Sequence, residues 1–513
     1  MTTMQLSNHQ HGILKHQKNP NGHLVIIAGP GCGKSETLGL NVKQMSEAER
    51  RNTVVIAYNK LTASSFNAKM GFATDIARTS SSLGHRTVSR AVKPRDIKTW
   101  VQVNKYDEIA ADILEDGDFE CEDKEKRNWV ENAVRLCGLV RSNLAEQTDH
   151  TGIANIMDSH GIDAPFKAEE AGPIIEKMLR KGIRVAQRVV DFTDLVYLPH
   201  VMALEPEHFG RVLVDEAQDT SYAARSLLMK AGANGYTTWV GDPRQAIYRW
   251  AGAPPNGMQE IKDMLSADIL PLPICYRCPT SHIDLVKEMA PELTAAPGAK
   301  TGRVIQMNQN YLYKGFSWKK GDLFLCRTNK PLVEVALKML RMGIPVQMRN
   351  RGFDKDLLDM VEKIEKLCES KHEMFCESLN TYRRQMNELY AIKNASDHVV
   401  SSFNDKCNSV ETLYENVWES GGRSVLEIKR QIKLMFQAGG DRVILSSIHS
   451  AKGEEAPRVF LVQPGKSTGK KKASAEDAAQ EANLGFISRT RCTQEGEGHL
   501  FYLVNKKGEL GDF

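Results

Sequence analysis

The chain has 513 residues, of which 41% are hydrophobic and 26% are charged, and its formal net charge is +4. This length is too great for one hydrophobic core and predicts about three or four domains. The weak basic bias neither requires nor excludes nucleic acid, and the lack of any apolar run near about 18 residues excludes a helical membrane span.

The ten cysteines are dispersed along the chain, which is typical of reduced thiols and not of a disulfide framework. The polar segment 1–10 lacks the apolar core of a secretory signal. We therefore expect a soluble protein of the cytoplasm, or of the host cytoplasm if a phage encodes it, with no membrane partner.

The first strong motif is a glycine-rich loop. It follows the apolar run 24–27 and precedes the proline-free segment 36–44, which predicts the strand, loop and helix of a phosphate-binding site. The loop amides would bind phosphate at the helix N-terminus, the Lys34 ammonium would reach the outer phosphates, and the Ser35 hydroxyl would bind Mg²⁺. The loop residues are Ala28, Gly29, Pro30, Gly31, Cys32, Gly33, Lys34 and Ser35.

Apolar strand candidates recur along the chain and mostly alternate with helical segments. This alternation predicts an α/β fold with two parallel-sheet units. Helical stretches from about 93 to 204 and from about 353 to 440 interrupt the two units, and we expect each to form a separate subdomain. The strand candidates are 54–58, 212–215, 238–241, 323–327, 443–446, 459–462 and 500–504.

An acidic motif, Asp215 and Glu216, directly follows the apolar run 211–214. In open parallel sheets, ligands bind at the carboxyl ends of the strands. We expect Asp215 to hold Mg²⁺ and Glu216 to orient and deprotonate the attacking water. An isolated acidic pair would be explained as a strand cap, but together with the phosphate loop it predicts a nucleotide-hydrolysing motor.

Two further segments leave alternatives open. Cys275 and Cys278 have the spacing of metal ligands, but zinc would need a second such pair, so we expect them to bracket a functional Tyr276 and Arg277. The lysine-rich segment 466–472 indicates a basic loop that is either simply solvated or in contact with a phosphate backbone.

These landmarks, in this order, resemble the UvrD/Rep-like branch of superfamily 1 helicases, from Gln10 to Arg491. The resemblance implies two RecA-like parallel-sheet P-loop domains, each with a mainly helical insertion. The second insertion is short beside that of typical members, which predicts a compact motor of the kind found in phages or mobile elements. The implied boundaries are 1–92 and 205–268 for the first domain, 93–204 for its insertion, 269–352 and 441–513 for the second domain, and 353–440 for its reduced insertion.

The resemblance also implies roles at the nucleotide. Gln10 would read the adenine edge, Gln245 in segment 240–253 would sense the terminal phosphate, and Tyr276 would stack on adenine. Arg277 and Arg491 would act as arginine fingers, which stabilise the charge of the transition state. Such a residue can raise the rate of hydrolysis by about 10³ to 10⁵. The catalytic residues are then Lys34, Glu216, Gln245, Arg277 and Arg491, and Glu455 would approach the sugar.

Nucleic-acid contacts are implied in the same way. The aromatic residues Tyr248 and Trp250 would stack on single-stranded bases, each worth about 1 to 3 kcal/mol, with core packing as the alternative for Trp250. The segment 191–195 matches a family landmark for either strand contact or packing. The other implied DNA-binding residues are Tyr58, Asn59 and Lys60, then Thr79, Ser81, Ser82 and His85 on a hydroxyl-rich loop, and His449 and Lys452.

The chain departs from the family pattern in two further segments, at Glu36 and beside Tyr276 and Arg277. Glu36 stands where relatives often carry arginine, so a nucleotide contact is missing there or is supplied by another residue. Cysteines replace the usual neighbours of Tyr276 and Arg277, although both functional side chains remain.

The resemblance implies an ATP-dependent DNA helicase that uses Mg²⁺ and moves 3′ to 5′ on single-stranded DNA, with ATP bound between the two domains. Its partners would be single-stranded DNA, single-strand/duplex junctions, and replication or recombination proteins. Two alternatives remain: a translocase that strips proteins from DNA without unwinding, and a nucleotide-switched DNA clamp.

Overall fold

The computed structural model describes residues 6–18, 20, 22–116, 126–160, 162, 164–249, 252–313, 316–350, 352–369, 371–392, 397–463 and 475–504. Trp250 and the basic segment 466–472 lie outside these residues. The helices are α1 (Asn8–Lys18), α2 (Lys34–Gln44), α3 (Glu47–Arg51), α4 (Lys60–Met70), α5 (Ser80–Val92), α6 (Lys105–Glu115), α7 (Lys126–Asn143), α8 (His150–Ser159), α9 (Ala168–Arg184), α10 (Asp194–Val201), α11 (Tyr222–Ala231), α12 (Gly257–Leu265), α13 (Thr280–Asp284), α14 (Lys330–Arg341), α15 (Phe353–Leu367), α16 (Phe375–Ile392), α17 (Asp397–Glu419), α18 (Val425–Phe436) and α19 (Ala475–Arg489). Across the described ranges, none of these helices is both long enough and apolar enough to span a bilayer.

The strands confirm the predicted α/β class. Every strand predicted from the sequence is present, with ends that differ by at most two residues. The strands are β1 (Leu24–Ala28), β2 (Thr53–Ile56), β3 (Ala77–Arg78), β4 (Arg211–Val214), β5 (Tyr236–Gly241), β6 (Asp268–Leu272), β7 (Ile274–Cys275), β8 (Thr294–Ala295), β9 (Arg303–Asn308), β10 (Leu323–Cys326), β11 (Val346–Met348), β12 (Val443–Ser447), β13 (Arg458–Val462) and β14 (His499–Val504).

The first sheet has the strand order β3-β2-β4-β5-β1-β6, and all its neighbours are parallel. Its central strands are apolar and almost wholly buried, as expected when helices cover both faces of a parallel sheet. Because the strands run in one direction, the loops after β1, β2, β4 and β5 emerge at a single edge. That edge receives most of the functional residues predicted in this unit.

The first insertion has its own hydrophobic core, built by α6 to α9 around the buried side chains of Trp100, Trp129 and Leu136. The same core includes Leu195 and Leu198 of α10, so the helix that returns the chain to the sheet also anchors the insertion. This part of the fold is a helical subdomain.

A buried ionic network lies at the base of that subdomain, centred on the fully buried carboxylate of Asp194. One of its oxygens accepts a hydrogen bond from Lys105 Nζ at 2.5 Å, and the other accepts from Tyr106 at 3.1 Å and from Arg141 at 2.9 Å. Arg141 also donates to Asp191 at 2.7 and 2.9 Å. Asp191 and Asp194 of the segment 191–195 therefore have a structural role, while Phe192 between them is 58% exposed.

The second sheet has the order β11-β12-β10-β13-β14-β9 and is also parallel throughout. Among the described residues of segment 353–440, the buried apolar side chains of the helices belong to the core of this sheet. Leu357 on α15 and Ile432 on α18 belong to one cluster with Phe324 and Phe460 of the sheet. The expected separate subdomain is instead an added helical layer, because the apolar stripe of α15 is covered by the same core as the strands.

The chain divides into two compact units between Pro273 and Ile274, whereas the sequence predicts the domain boundary between 268 and 269. The difference arises from β6, which pairs with β1 as an edge strand of the first sheet. Its residues are mostly exposed and it contains Pro271, so it lacks the continuous apolar pattern of a buried strand.

We expect Asp194→Ala to destabilise the first insertion by about 3 to 5 kcal/mol, because Lys105 is then left buried without its carboxylate. Urea denaturation of the full chain, followed by tryptophan fluorescence, measures the loss. Asp112→Ala is the matched control, since Asp112 pairs with Lys181 at 2.9 Å on the surface and its removal should cost no more than about 1 kcal/mol. Equal losses in the two variants would contradict a stabilising role for the buried network.

Candidate nucleotide-binding site

The glycine-rich loop connects β1 to α2, as its sequence predicts. Gly31 and Gly33 have positive φ angles of 66° and 78°, and Gly33 directly precedes the first residue of α2. A Cβ at Gly33 would lie 3.6 Å from Gln10 Nε2, so a side chain there would enter the space beside Gln10. The backbone of the loop therefore runs directly into the N-terminus of α2, where backbone N–H groups and the helix dipole favour the binding of phosphate.

The predicted catalytic side chains of the first unit lie together at the edge of the sheet. Ser35 Oγ donates a hydrogen bond to Asp215 Oδ2 at 2.7 Å, and Lys34 Nζ lies 3.2 Å from Glu216 Oε1. Lys34 and Asp215 are largely buried. Residues that follow β1 and β4 are thus in direct contact, although 180 positions separate them in the sequence.

Burial and charge act in opposite directions on these groups. Burial alone would lower the pKa of Lys34, but the carboxylates of Glu216, Asp242 and Asp215 outweigh it, and the pKa is raised. The pKa of Asp215 is also raised, first by burial and then by the neighbouring charge of Glu216. The site therefore carries a surplus of negative charge that one lysine does not fully offset.

This donor set fits Mg²⁺. The Ser35 hydroxyl and the Asp215 carboxylate supply hard oxygen atoms, which are the ligands this ion prefers. A divalent cation would also offset the negative charge of Glu216, which adds to the effect of burial in raising the pKa of Asp215. Ser35 and Asp215 are the residues that would hold it.

Gln218, to which sequence reasoning assigned no role, connects the two carboxylate-bearing strand ends. Its Nε2 donates to Glu216 Oε2 at 2.5 Å, and its Oε1 accepts from the backbone N–H of Asp242 at 3.1 Å. A Cβ at Gly241 would lie 2.3 Å from Gln218 Oε1, so glycine is required there. The sequence did offer one signal for this role: Gln218 has an amide side chain and lies only two residues after Glu216, on the same turn.

Gln245 belongs to the same network. Its Nε2 donates to Asp242 Oδ2 at 2.8 Å, while Arg244 Nε donates to Asp242 Oδ1 at 2.9 Å. A continuous path of hydrogen bonds therefore connects Gln245 to Glu216 through Asp242 and Gln218.

Gln10 and Glu36 lie on the other side of the loop. Gln10 is fully buried, accepts from the Ser7 backbone N–H at 3.0 Å and donates to Thr37 Oγ1 at 3.3 Å. Glu36 forms an ion pair with Lys69, which brings a cation next to the position where relatives often carry arginine. Sequence reasoning missed Lys69 because it lies on α4, and no local pattern relates α4 to the loop.

The nucleic-acid residues predicted in this unit fall into two groups. Tyr58 and Tyr248 follow different strands at the same edge, and their rings stack with centroids 5.2 Å apart and planes 17° from parallel. Tyr58 is 45% exposed, and Lys60 and Ser82 are also exposed. These side chains are available for contact with a ligand.

The second group makes local structural contacts. Asn59 Oδ1 accepts from the Thr62 backbone N–H at 2.9 Å, and Thr79 Oγ1 accepts from that of Ser82 at 3.1 Å, so both residues cap helix N-termini. His85 makes an edge contact with the buried ring of Trp100 at 5.3 Å. Ser81 lies half-buried in the first turn of α5.

In the second unit, Tyr276 and Arg277 follow β7. Arg277 Nε lies 2.5 Å from Glu455 Oε2. Gln494 holds both backbone carbonyls, since its side chain donates to Tyr276 O at 2.6 Å and its backbone N–H donates to Arg277 O at 2.7 Å. The turn is thereby fastened to the segment that carries Arg491.

Arg491 is only 1% exposed and donates to Ile487 O at 3.1 Å and to Glu454 O at 3.5 Å. Glu454 and Glu455 are neighbours, so Arg277, Arg491 and Glu455 lie in one region of the second unit. His449 and Lys452 are half-buried on the loop after β12.

Comparison with known proteins decides the family. The sequence model of the UvrD/REP helicase N-terminal domain matches residues 6–266, about half of the chain. The chain belongs to the UvrD/Rep helicase family. Its α/β architecture is the RecA-like P-loop fold of that family, as the resemblance implied.

Three relatives illustrate the similarity. The chain is 33% identical to DNA helicase II of Escherichia coli strain K12 over 137 residues, which cover 23% of this chain and 19% of the relative. It has the same identity and the same coverage with DNA helicase II of Salmonella typhimurium strain LT2. It is 35% identical to ATP-dependent DNA helicase Rep of Escherichia coli strain K12 over 82 residues, or 14% and 12% of the two chains. The matched segments span about a fifth or less of each relative.

We expect Asp215→Asn to stabilise the nucleotide-free protein by about 0.5 to 2 kcal/mol at pH 7.5, since it removes one buried carboxylate but keeps an acceptor for Ser35. A carboxyl group whose pKa is raised in the folded state contributes stability at low pH and loses it as the pH rises. The advantage of the variant should therefore shrink on going from pH 7.5 to pH 5. Thermal unfolding at the two pH values measures it.

The control for this test is Asp263→Asn. Asp263 is exposed, and hydrogen bonds from Gln259 and Lys262 lower its pKa, so its replacement should give no gain at pH 7.5. A variant of Asp215 that is destabilised at both pH values would show that the buried carboxylate is favourable in the apo site.

Proposed function

We propose that this protein is an ATP-dependent DNA helicase or translocase that moves 3′ to 5′ on single-stranded DNA. The observation that carries the proposal is the direct contact of Lys34 and Ser35 with Glu216 and Asp215 at the carboxyl edge of a parallel sheet. This is the arrangement that phosphoryl transfer from a nucleotide to water requires. The direction of movement rests on the family resemblance.

In this proposal Glu216 orients the attacking water and accepts its proton. Gln218 holds the second oxygen of that carboxylate at 2.5 Å, which leaves the first oxygen turned toward Lys34. Lys34 binds the outer phosphates, and Gln245 donates to the terminal phosphate. Ser35 and Asp215 would hold Mg²⁺, which would supply positive charge to the phosphate oxygens when bound.

Arg277 and Arg491 are proposed to supply further positive charge to the terminal phosphate. Their side chains have acceptors from the second unit: Arg277 is paired with Glu455, and Arg491 donates to Ile487 and Glu454. Nucleotide binding would then exchange the contact between Arg277 and Glu455 for one with phosphate, and Glu455 would be released toward the sugar. Tyr276 and Gln10 are proposed to contact adenine.

Single-stranded DNA is the proposed track. Stacking on aromatic rings tolerates any base, as a motor requires, and Tyr58 with Tyr248 forms such a platform. Tyr248 lies three residues after Gln245, so a change in the hydrogen bonds around Asp242 would be passed on to the platform. Alternate tightening and release of two strand-binding surfaces would produce stepping. Junctions between single and double strands, and replication or recombination proteins, are the proposed partners.

The decisive experiment measures ATP turnover and strand separation on 3′-tailed, 5′-tailed and blunt duplexes. We expect single-stranded DNA to stimulate the ATPase and a 3′ tail to support unwinding. Lys34→Ala should lower turnover by at least about 10²-fold, because it removes the side chain that binds the outer phosphates. Lys43→Ala, in the last turn of the same helix and exposed, should behave like the wild type.

Each outcome of that experiment is informative. Stimulated turnover that displaces a bound protein without separating strands would identify a translocase. Low turnover with ATP-dependent DNA affinity would identify a clamp, and an ATPase indifferent to nucleic acid would contradict the proposal.

A second experiment tests the platform. Tyr58→Ala should weaken the binding of single-stranded DNA by about 1 to 3 kcal/mol and reduce DNA stimulation, while the turnover without DNA stays unchanged. Tyr58→Phe should retain binding, since it keeps the ring. Tyr236→Ala is the control, because Tyr236 is similarly exposed, at 39%, but begins β5 instead of following a strand. Equal losses in the two alanine variants would exclude a specific role for Tyr58.

A further inference from the structure

The turn that carries Tyr276 and Arg277 contains two thiols in contact. Cys275 ends β7 and Cys278 lies three residues later, before α13. The backbone N–H of Cys278 donates to Cys275 Sγ at 3.3 Å. Both residues are reduced and have no exposed surface. The turn therefore already brings Cys278 into contact with the sulfur atom of Cys275.

The same turn is fastened to the segment around Arg491. Cys278 Sγ donates to Thr490 O at 3.5 Å, next to Arg491 in the chain. Gln494 holds the carbonyls of Tyr276 and Arg277. The position of both arginines thus depends on a small set of bonds, one of which needs the S–H group of Cys278.

We propose that Cys275 and Cys278 are a thiol modification site, at which exchange with a low-molecular-weight disulfide forms a reversible bond that suppresses the ATPase. The effect on turnover rests on the function proposed above, whereas the formation of the bond does not.

The exchange is balanced without any other reactant. The Cys275 thiolate attacks one sulfur of the small disulfide, whose S–S bond breaks and releases a thiolate. The Cys278 sulfur, on losing its proton to that thiolate, attacks Cys275 in the mixed disulfide. The Cys275–Cys278 bond forms and a second small thiolate leaves, so the protein loses two electrons and two protons and the small disulfide is reduced to two thiols.

The surroundings of Cys275 favour this chemistry. The hydrogen bond from Cys278, the backbone N–H groups of Cys278 and Arg277, and the charge of Arg277 together outweigh burial and lower its pKa to about 7. Burial raises the pKa of Cys137 and Cys492 to about 12 and that of Cys326 to about 11. Cys275 is therefore ionised at neutral pH to a far greater extent than these other buried thiols.

Bond formation would change the turn in two ways. It removes the S–H donor of Cys278, so the hydrogen bond to Thr490 is lost. It also fixes the two sulfur atoms at a covalent separation of about 2.05 Å, which constrains the intervening Tyr276 and Arg277. Because both thiols are buried, exchange requires the turn to open, and we expect it to be slower than at the partly exposed Cys376.

The test uses the reduced full chain, incubated without oxygen at graded ratios of oxidised to reduced glutathione. Free thiols are then blocked, and mass spectrometry of the peptide with Cys275 and Cys278 measures the internal disulfide, while ATP turnover with single-stranded DNA is measured in parallel. We expect the disulfide to form and turnover to fall by about tenfold or more at the same ratio, since an arginine finger contributes far more than that. Dithiothreitol should restore turnover.

Variants assign the effect to this pair. Cys275→Ser, which removes the thiol that attacks the small disulfide, should keep its turnover at every ratio, whereas the control Cys376→Ser should respond like the wild type. The proposal is overturned if no internal disulfide forms at any ratio, if it forms and turnover does not change, or if Cys275→Ser still responds. Should the reduced protein lack ATPase altogether, the proposed function fails, and the peptide measurement still decides whether the bond forms.

Discussion

The contact of Lys34 with Glu216 and of Ser35 with Asp215 is the constraint on which the first unit depends. Lys34 starts α2, and Asp215 and Glu216 directly follow β4, so the contact fixes how the phosphate loop meets the acidic turn. A buried charge cluster of this kind is favourable only while its partners stay in place. Here burial, and after it the neighbouring charge of Glu216, raise the pKa of Asp215. The apo site is therefore prepared for added positive charge.

The backbone stores strain at the same place. Glu216 has a φ angle of +52°, a left-handed conformation that costs a residue with a Cβ about 1 kcal/mol or more. The strain is maintained because Gln218 binds both the Glu216 carboxylate and the Asp242 backbone. A relaxed turn would direct the carboxylate elsewhere. Strain at Glu216, buried charge and the close approach of Gln218 to Gly241 coincide at this edge, and such features cluster at functional sites in proteins.

Sequence reasoning succeeds where the signal is local. The phosphate loop and the strand before Asp215 are continuous in the chain, and the structure places them as predicted. It fails where the signal is a contact between distant segments: Lys69 meets Glu36 across 33 positions, and nothing near either residue indicates it. The edge strand β6 was not predicted for a different reason: its exposed residues and Pro271 do not form the apolar pattern of a buried strand.

The helices of segment 353–440 show a related limit. Their periodicity predicts helices correctly, but it cannot distinguish a core of their own from a core shared with the sheet. Either arrangement buries the same stripe of Leu357, Val361 and Ile364. The two arrangements differ in what covers the stripe. Here it is covered by strands that lie both before and after the segment in the chain. A helical insertion that shares the core of its sheet cannot move as an independent body without exposing that core, so in this protein we expect the insertion and the second sheet to move together.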